Sequence, residues 1–571
     1  MNRDSSSKFL RKFSNFTGYL TIALVFLMLV FFLVIPVGCI VSRAFTNEGH
    51  FTLDYIKLLF ANDRQLVSVQ NSLLIGILTT FVTTVISLPL AIITAKWDFK
   101  GKGLLSGLIL VPMVMPPFVG AIGVQRFFAN YGSVNLFLMK LGIISEPISW
   151  FGGSGMLWMV VILEALNLYP IMYLNLSAAL SNVDPSLEEM ASTLGARKFK
   201  IFKDIMWPLS RPGYFAGAII IFIWAMTDLG TPLLVGFNET ISVKIFTMVM
   251  DINENPVGFA MVFLVIFMTV TIFLISKLFV SGKKYQMMAK GHVTSRSRPA
   301  TGLESVFIYI VMLSVVTLAL IPHISVFTTS ISDNWFMTIL PEHFTTRYYE
   351  LVFKTELAYK GVVNSLFYAS LSTTLDVILG LMVAYVVVRK LIPFANLLDS
   401  LVMIPLALPG IVIAFGYVVT YTGTSLDPME NPVPLLVIAF GIRRLPYMVR
   451  AISSALQQIH VSLEEASETF GASRFYTLRK VTVPLVVANI IAGCLLCFAY
   501  AMLDVSDGLI LAMKDKYYPL TKAIYALFQE NGNGELLASA LGIIQIGILA
   551  ACILSAAAIL GKKMGELFRS G

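Results

Sequence analysis

The chain has 571 residues, of which 57% are hydrophobic and only 13% charged, and its mean hydropathy is +0.81. Soluble globular chains carry about a quarter charged residues, so this composition excludes a soluble enzyme, a disordered scaffold and a nucleic-acid binder. The net charge of +8 reads as Lys and Arg gathered on one side of a bilayer, not as a nucleic-acid surface.

The N-terminus opens with Arg3, Lys8, Arg11 and Lys12, followed by the apolar run Tyr19–Val41. That run is longer than a signal-peptide core and has no clear cleavage site, so it reads as a retained first span. Twelve stretches are predicted to cross the membrane. They are about 18–42, 71–95, 103–128, 154–180, 212–235 and 257–281, then 303–329, 363–388, 395–420, 431–457, 486–506 and 536–561. The predicted fold class is an all-α polytopic membrane protein. An even count puts both termini on one side. The segments that then share a side with the termini hold 25 of the 41 Lys and Arg, and the opposite loops hold 12. By the positive-inside rule both termini are cytoplasmic.

The chain repeats itself. Asn71-Ser72-Leu73 recurs as Asn364-Ser365-Leu366, and Pro112 and Pro116 recur as Pro405 and Pro409, all offset by 293. Ser186–Glu189 recurs as Ser462–Glu465, Gly195 as Gly471 and Pro208 as Pro484, offset by 276. The 17-residue difference places a longer outer loop in the first half, around Tyr131–Trp150. The expected organisation is a first transmembrane domain over 1–281, a basic linker over 282–302 and a second domain over 303–571. Both halves start from the same side, so the repeat is parallel, with its axis along the membrane normal and a path between the halves. The proline pairs are expected to kink the third span of each half.

Between the fourth and fifth spans of each half lies a matched segment, Ser186–Leu209 (SLEEMASTLGARKFKIFKDIMWPL) and Ser462–Leu485 (SLEEASETFGASRFYTLRKVTVPL). Apolar residues recur at helical spacing with charges on the other face. Each helix is expected to break near its glycine, and Pro208 and Pro484 to mark entry to the next span. Ser186 with Glu189 and Ser462 with Glu465 fit capping boxes, and Asp184-Pro185 is a competing start.

Both segments resemble the EAA motif of permease subunits of ATP-binding-cassette importers: Glu189-Met190-Ala191, Gly195, Ile205 and Pro208 in one copy, Glu465-Ala466-Ser467, Gly471, Val481 and Pro484 in the other. The resemblance covers nearly the whole chain, as two permease units fused head to tail with the fold of a type I importer permease. It implies that Glu189, Ala191, Gly195, Pro208, Glu465, Ala466, Gly471 and Pro484 form coupling helices that dock on an ATPase subunit. The chain itself has no phosphate-binding GxxxxGK[ST] loop. No cofactor is therefore expected on it: ATP and Mg would sit on the partner ATPase, present in two copies. An extracytoplasmic substrate-binding protein is the other expected partner, and the location is the bacterial inner membrane.

Ionisable groups inside spans are costly and are candidates for the path. Glu164, Asn167, Asp228, Arg443, Asp504 and Asp507 are the predicted path residues, with Asp376, Arg444 and Arg450 also inside spans. Asp228 and Asp504 would end the fifth spans and could instead cap them. The arginines could attract an anion, or pair with Glu or lipid phosphate near the inner surface. Cys494 and Cys497 form a CxxC in an unbroken apolar run and read as small packing residues, and no metal site is predicted. Fused permeases of this length resemble those for ferric iron, thiamine and 2-aminoethylphosphonate. The paired segments around Asp228 and Asp504 resemble the iron branch, and carboxylates suit a hard cation. The alternatives are a phosphonate or phosphorylated anion, thiamine, or, in another class, an ion-coupled secondary transporter.

Overall fold

The structure, a computed structural model, describes residues 18–47, 49–249, 256–281, 298–333 and 335–560. The basic N-terminal start, most of the 282–302 linker and the C-terminal Lys562, Lys563 and Arg569 lie outside them. The first half contains α1 (Gly18–Phe45), α2 (Asp63–Lys96), α3 (Lys102–Val114), α4 (Pro117–Phe128), α5 (Gly155–Ser181), α6 (Pro185–Thr193), α7 (Lys198–Thr227), α8 (Gly230–Val235), α9 (Ile241–Met248) and α10 (Val257–Ser281). The second contains α11 (Gly302–Ser330), α12 (Glu356–Val388), α13 (Ala395–Ala407), α14 (Gly410–Tyr421), α15 (Val433–Gln458), α16 (Ser462–Thr469), α17 (Arg474–Met502), α18 (Ser506–Leu511), α19 (Leu520–Gln529) and α20 (Gly534–Leu560).

Among the described residues nine helices are long and apolar enough to cross a membrane, and the bent pairs α3–α4 and α13–α14 bring the number to 11 if each is one span. The twelfth predicted span is α15, 26 residues long and set apart by Arg443, Arg444 and Arg450. The kinks fall at the proline pairs, 92° in the first half and 94° in the second. Pro112 and Pro405 open 3₁₀ turns, and Pro116 and Pro409 follow them. Without an N–H, proline cannot continue the helical ladder.

The repeated Asn-Ser-Leu turns out to be a structural staple. Ser72 Oγ accepts from the backbone N–H of Ile241 at 2.9 Å, at the start of α9, and Ser365 Oγ accepts from Leu520 at 2.6 Å, at the start of α19. Asn71 donates to the Glu239 carbonyl at 2.9 Å, and Asn364 to those of Lys516 and Tyr518 at 3.0 Å. Each pair caps, from a neighbouring helix, the start of a short helix whose first N–H groups lack intrahelical partners.

The two halves are interlocked through their first spans. α1 of the first half packs on α14 of the second, and α11 of the second packs on α4 of the first. Glycine permits the close approach: a Cβ on Gly123 would lie 2.4 Å from the Val326 backbone nitrogen, and one on Gly416 would lie 3.0 Å from Pro36 Cβ. Gly123→Ala should therefore destabilise the protein by about 1–3 kcal/mol, the usual cost of overpacking. Gly38→Ala, where a Cβ meets nothing within 4 Å, is the matched control; thermal unfolding in detergent compares the two.

Candidate functional site

The two matched segments lie at one end of the bundle. α2 and α12 both end there: Lys96 Nζ pairs with Glu188 Oε2 at 2.9 Å, and Arg389 Nη2 with Glu464 Oε1 at 2.9 Å. α6 and α16 each end in a Schellman turn, in which Ala196 N–H donates to the Ala191 carbonyl at 3.0 Å and Ala472 N–H to that of Ser467 at 3.2 Å. Gly195 and Gly471 supply the left-handed residue, with φ of +81° and +88°. No atom outside their immediate chain neighbours lies within 4 Å of a Cβ built on either, so each glycine serves the turn and not a close approach.

Two sequence expectations are corrected. No capping box forms: Asp184 caps α6 by accepting from Ser186 N–H at 2.9 Å, and at α16 His460 Nδ1 accepts from Ser462 N–H at 3.4 Å. The aspartate is already poised ahead of Pro185, which satisfies the terminus before Ser186 can. Pro208 and Pro484 do not mark span entry either, because α7 and α17 begin about ten residues earlier, at Lys198 and Arg474. A five-residue π-helical stretch, Phe202–Met206 or Leu478–Thr482, precedes each proline-containing turn. The widened turn shifts the hydrogen-bond register where the proline offers no donor. The apolar residues of the motif face outward. Met190, Leu194 and Phe199 in one copy, and Leu463, Phe470 and Phe475 in the other, are exposed, Leu194 to 87% and Phe470 to 92%. Glu189, Glu465 and Ala466 are exposed as well, and Ala191 and Pro208 are half-buried.

The copies are anchored differently. The Arg389–Glu464 side chains are each only 8% exposed, Arg389 bonds both carboxylate oxygens, and Thr482 of the π-helical stretch donates to Glu464 Oε1 at 3.0 Å. Lys96 and Glu188 are 31% and 28% exposed, and Met206 stands where the second half has Thr482. Sequence reading singled out the second glutamate of each SLEE; the first is the one that holds the segment in place.

The predicted path residues converge on a cavity of about 250 Å³ between the halves. Glu164, Asn167, Asp228, Arg443 and Asp504 line it, with Arg444, Tyr447, Tyr500, Trp224 and the kink residues Pro117, Pro405 and Pro409. Asp507 stands just behind. Both fifth spans break at their aspartate. Asp228 accepts from Thr231 N–H at 2.8 Å and caps α8, and Asp504 accepts from Asp507 N–H at 2.9 Å and caps α18. Both aspartates therefore cap the helix that follows the break and also line the cavity. The broken segments meet where a Cβ on Gly230 would lie 3.2 Å from Val505 Cγ1.

Polar groups on α5 and α15 serve the kinks and breaks. With its amide nitrogen turned toward the first kink, Asn167 donates to the carbonyls of Pro112 and Met115 at 3.0 and 3.2 Å. Its counterpart Arg443 lies against Gly410 at the second kink, where a Cβ would sit 2.3 Å from Nη1. Arg443 pairs with Asp504 at 2.6 Å and Asp507 at 2.8 Å, and Arg444 with Asp504 at 2.7 Å. Arg450 pairs with Asp399 at 3.2 Å. Each of these arginines thus pairs with an aspartate; for Arg443 and Arg444 this is because the break of the fifth span turns carboxylates inward toward α15. In the first half, Glu164 accepts from Thr231 Oγ1 at 2.6 Å; Thr231 occupies the position of Asp507. Arg444, Tyr447 and Tyr500 were outside the predicted path. A signal for Arg444 existed in its place beside Arg443, but the tyrosines had none.

This is the arrangement of a bilayer-spanning permease, with a polar cavity between two repeats. The model of the family described as "Binding-protein-dependent transport system inner membrane component" matches residues 87–285 and 376–566, and the chain belongs to that family: it is a fused, double-domain permease of an ATP-binding-cassette importer. The family assignment removes the ion-coupled secondary transporter. Two proteins named as ferric transport system permeases, FbpB 1 of Haemophilus influenzae and FbpB of Actinobacillus pleuropneumoniae, are 27% and 26% identical to it over 501 residues. Each alignment spans 86% of this chain, and 77% and 71% of the respective relatives. The spermidine/putrescine permease PotB of Haemophilus influenzae is 30% identical over 214 residues, 36% of this chain and 73% of its own length. The crystal structure of a bacterial alginate importer aligns with 46% of this chain and 93% of its own, at TM-score 0.39 and 18% identity.

The unequal anchors give a direct prediction. Arg389→Ala leaves Glu464 buried and unpaired, which costs about 3–5 kcal/mol, whereas Lys96→Ala removes a partly exposed pair worth about 0–1 kcal/mol. Hydrogen exchange should accelerate strongly over Ser462–Thr469 in the first variant and change little over Pro185–Thr193 in the second.

Proposed function

We propose that this chain forms the translocation path of a bacterial inner-membrane importer for ferric iron. Both termini face the cytoplasm, and ATPase subunits, holding ATP and Mg, dock on α6 and α16. The exposed Leu194, Phe199, Phe470 and Phe475 beside Gly195 and Gly471 support that docking, since unpartnered apolar surface on a polar-rimmed segment marks an interaction site. A substrate-binding protein would dock at the opposite end. The 25:12 division of Lys and Arg supports this sidedness. The transmembrane domains are proposed to be 1–281 and 303–571, joined by the basic linker.

The observation that carries the choice of cargo is the charge balance of the cavity. Glu164, Asp228 and Asp504 line it with Asp507 behind, against two arginines that are both already paired with aspartates. The surplus is negative and offers oxygen ligands, which suit a hard cation. No group of three or more His, Cys, Asp or Glu gathers as a chelate among the described residues, and a path needs contacts weak enough to release its cargo. The names of the two ferric relatives point the same way. The second reading, a phosphonate or phosphorylated anion, is favoured by one fact: Arg443 and Arg444 do line the cavity. Thiamine, itself a cation, would use the same carboxylates.

The test is uptake by proteoliposomes holding permease, ATPase and binding protein. Ferric iron should enter in an ATP-dependent manner. Glu164→Gln and Asp228→Asn should each lower uptake about tenfold, equivalent to ~1.4 kcal/mol. Uptake of a phosphonate but not of iron would overturn the cargo assignment. Separately, Gly195→Leu or Gly471→Leu should reduce ATPase co-purification while the permease still reaches the membrane. Each forces a side chain into a left-handed conformation that costs about 1–2 kcal/mol and places bulk on the docking turn.

A further inference from the structure

One buried charge takes no part in the network described so far. Asp376, on α12, is 1% exposed, and neither carboxylate oxygen has a hydrogen-bond partner. Its side chain faces α15 at Gly441, where a Cβ would lie 3.4 Å from Asp376 Oδ1. Gly441 thus leaves the space that the carboxyl group occupies. One turn further along α15 is Arg444, the charged group that acts on Asp376. Cys494 and Cys497 on α17 also lie near Asp376.

Arg444 itself is engaged on the cavity side. It donates to Asp504 Oδ2 at 2.7 Å and to the Tyr500 carbonyl at 2.8 Å, and more weakly to the Phe440 carbonyl at 3.4 Å. The same Asp504 Oδ2 also accepts from Arg443 at 2.6 Å. One carboxylate oxygen therefore holds two guanidinium groups, while a second buried carboxyl group near Arg444 has no hydrogen-bond partner. A buried ionised group without a partner is strongly disfavoured and takes a proton instead, so Asp376 is an acid that would ionise only with a cation brought beside it.

We propose that Arg444 exchanges carboxylate partners during transport, moving from Asp504 to Asp376, and that this exchange opens Asp504 to the crossing cation. The proposal rests on the reading of the cavity as a cation path. With Arg444 on Asp376, the cavity keeps Glu164, Asp228 and Asp504 but only Arg443, which Asp507 shares, so its negative surplus grows. When Arg444 returns, it competes with the cation for Asp504 Oδ2 and favours release. The two arrangements differ by a side-chain swing between α12 and the break of the fifth span. Repacking of the two halves could bias such an element in either direction. Asp376 is then a positioning residue that acts through Arg444.

The test uses the full complex of permease, ATPase and binding protein in liposomes, with radiolabelled ferric iron as the probe. Asp376→Asn is isosteric with a permanently neutral acid. If the exchange operates, this variant should still co-purify with the ATPase subunit but transport about tenfold or more slowly, and Asp376→Glu should restore much of the rate. Wild-type transport by Asp376→Asn would overturn the proposal, since it would mean that Asp376 never pairs. A second measurement uses the unmodified protein: a hydrophobic carbodiimide should label Asp376 in the resting complex, and the vanadate-trapped complex should be protected. Equal labelling in both states would also overturn the exchange. If the wild-type complex does not carry iron at all, the cargo reading fails. Binding-protein-stimulated ATP hydrolysis then replaces uptake as the readout, and the same comparisons still decide the exchange.

Discussion

Inside a bilayer no water is available to satisfy a broken helix, so every interruption of the backbone ladder at membrane depth needs an internal partner. This chain interrupts its helices in both halves, at the proline kinks between α3 and α4 and between α13 and α14, and again where the fifth spans stop at Asp228 and Asp504. The architecture around the cavity follows from meeting that requirement. Asp228 and Asp504 cap the short helices after the break, Asn167 covers the carbonyls of the first kink, and Ser72 and Ser365 hold the starts of α9 and α19. The groups that satisfy the backbone are polar and point inward, so the repair of the breaks also furnishes the path.

Charge within the site follows the same logic. Once carboxylates turn inward at a break, they need cations or hydrogen-bond donors nearby. The two halves answer differently: the first uses the hydroxyl of Thr231 for Glu164, while the second uses Arg443 and Arg444 for Asp504 and Asp507. The duplicated scaffold therefore carries an asymmetric lining. The motif end shows the same divergence, with a buried bidentate pair at Glu464 and a partly exposed pair at Glu188. A motor acting on both segments would meet a stiffly mounted lever in one half and a looser one in the other.

Interlocking of the halves has a steric basis, supplemented by polar contacts such as the Arg126–Glu535 ion pair at 3.3 Å and the bond from the Tyr309 hydroxyl to the Lys100 carbonyl at 2.8 Å. Each first span lies across the other half at a glycine, Gly123 under α11 and Gly416 under α1. A larger residue at Gly123 would meet the backbone of α11, and one at Gly416 would crowd Pro36 and Ile40 of α1, so motion between the halves must be accommodated along these seams.

The sequence alone determined the class of the protein: hydrophobic runs of membrane length, a duplication visible at fixed offsets, and two motifs at matched positions between spans. These are local or periodic signals and survive without coordinates. It also marked the charged residues of the cavity, because an ionisable group in an apolar run stands out wherever it lies. It did not show that Asp184 would displace the capping box, that α7 and α17 would begin ten residues before their prolines, or that Arg443 and Arg444 of α15 would face the aspartates at the break between α17 and α18. Those outcomes depend on which helix lies beside which, and on how a π-helical stretch or a 94° bend redirects side chains several residues away. The unpaired state of Asp376 and the double load on Asp504 belong to the same category. Pairing across α12, α15 and α17 is a property of packing, and only the tertiary structure decided it.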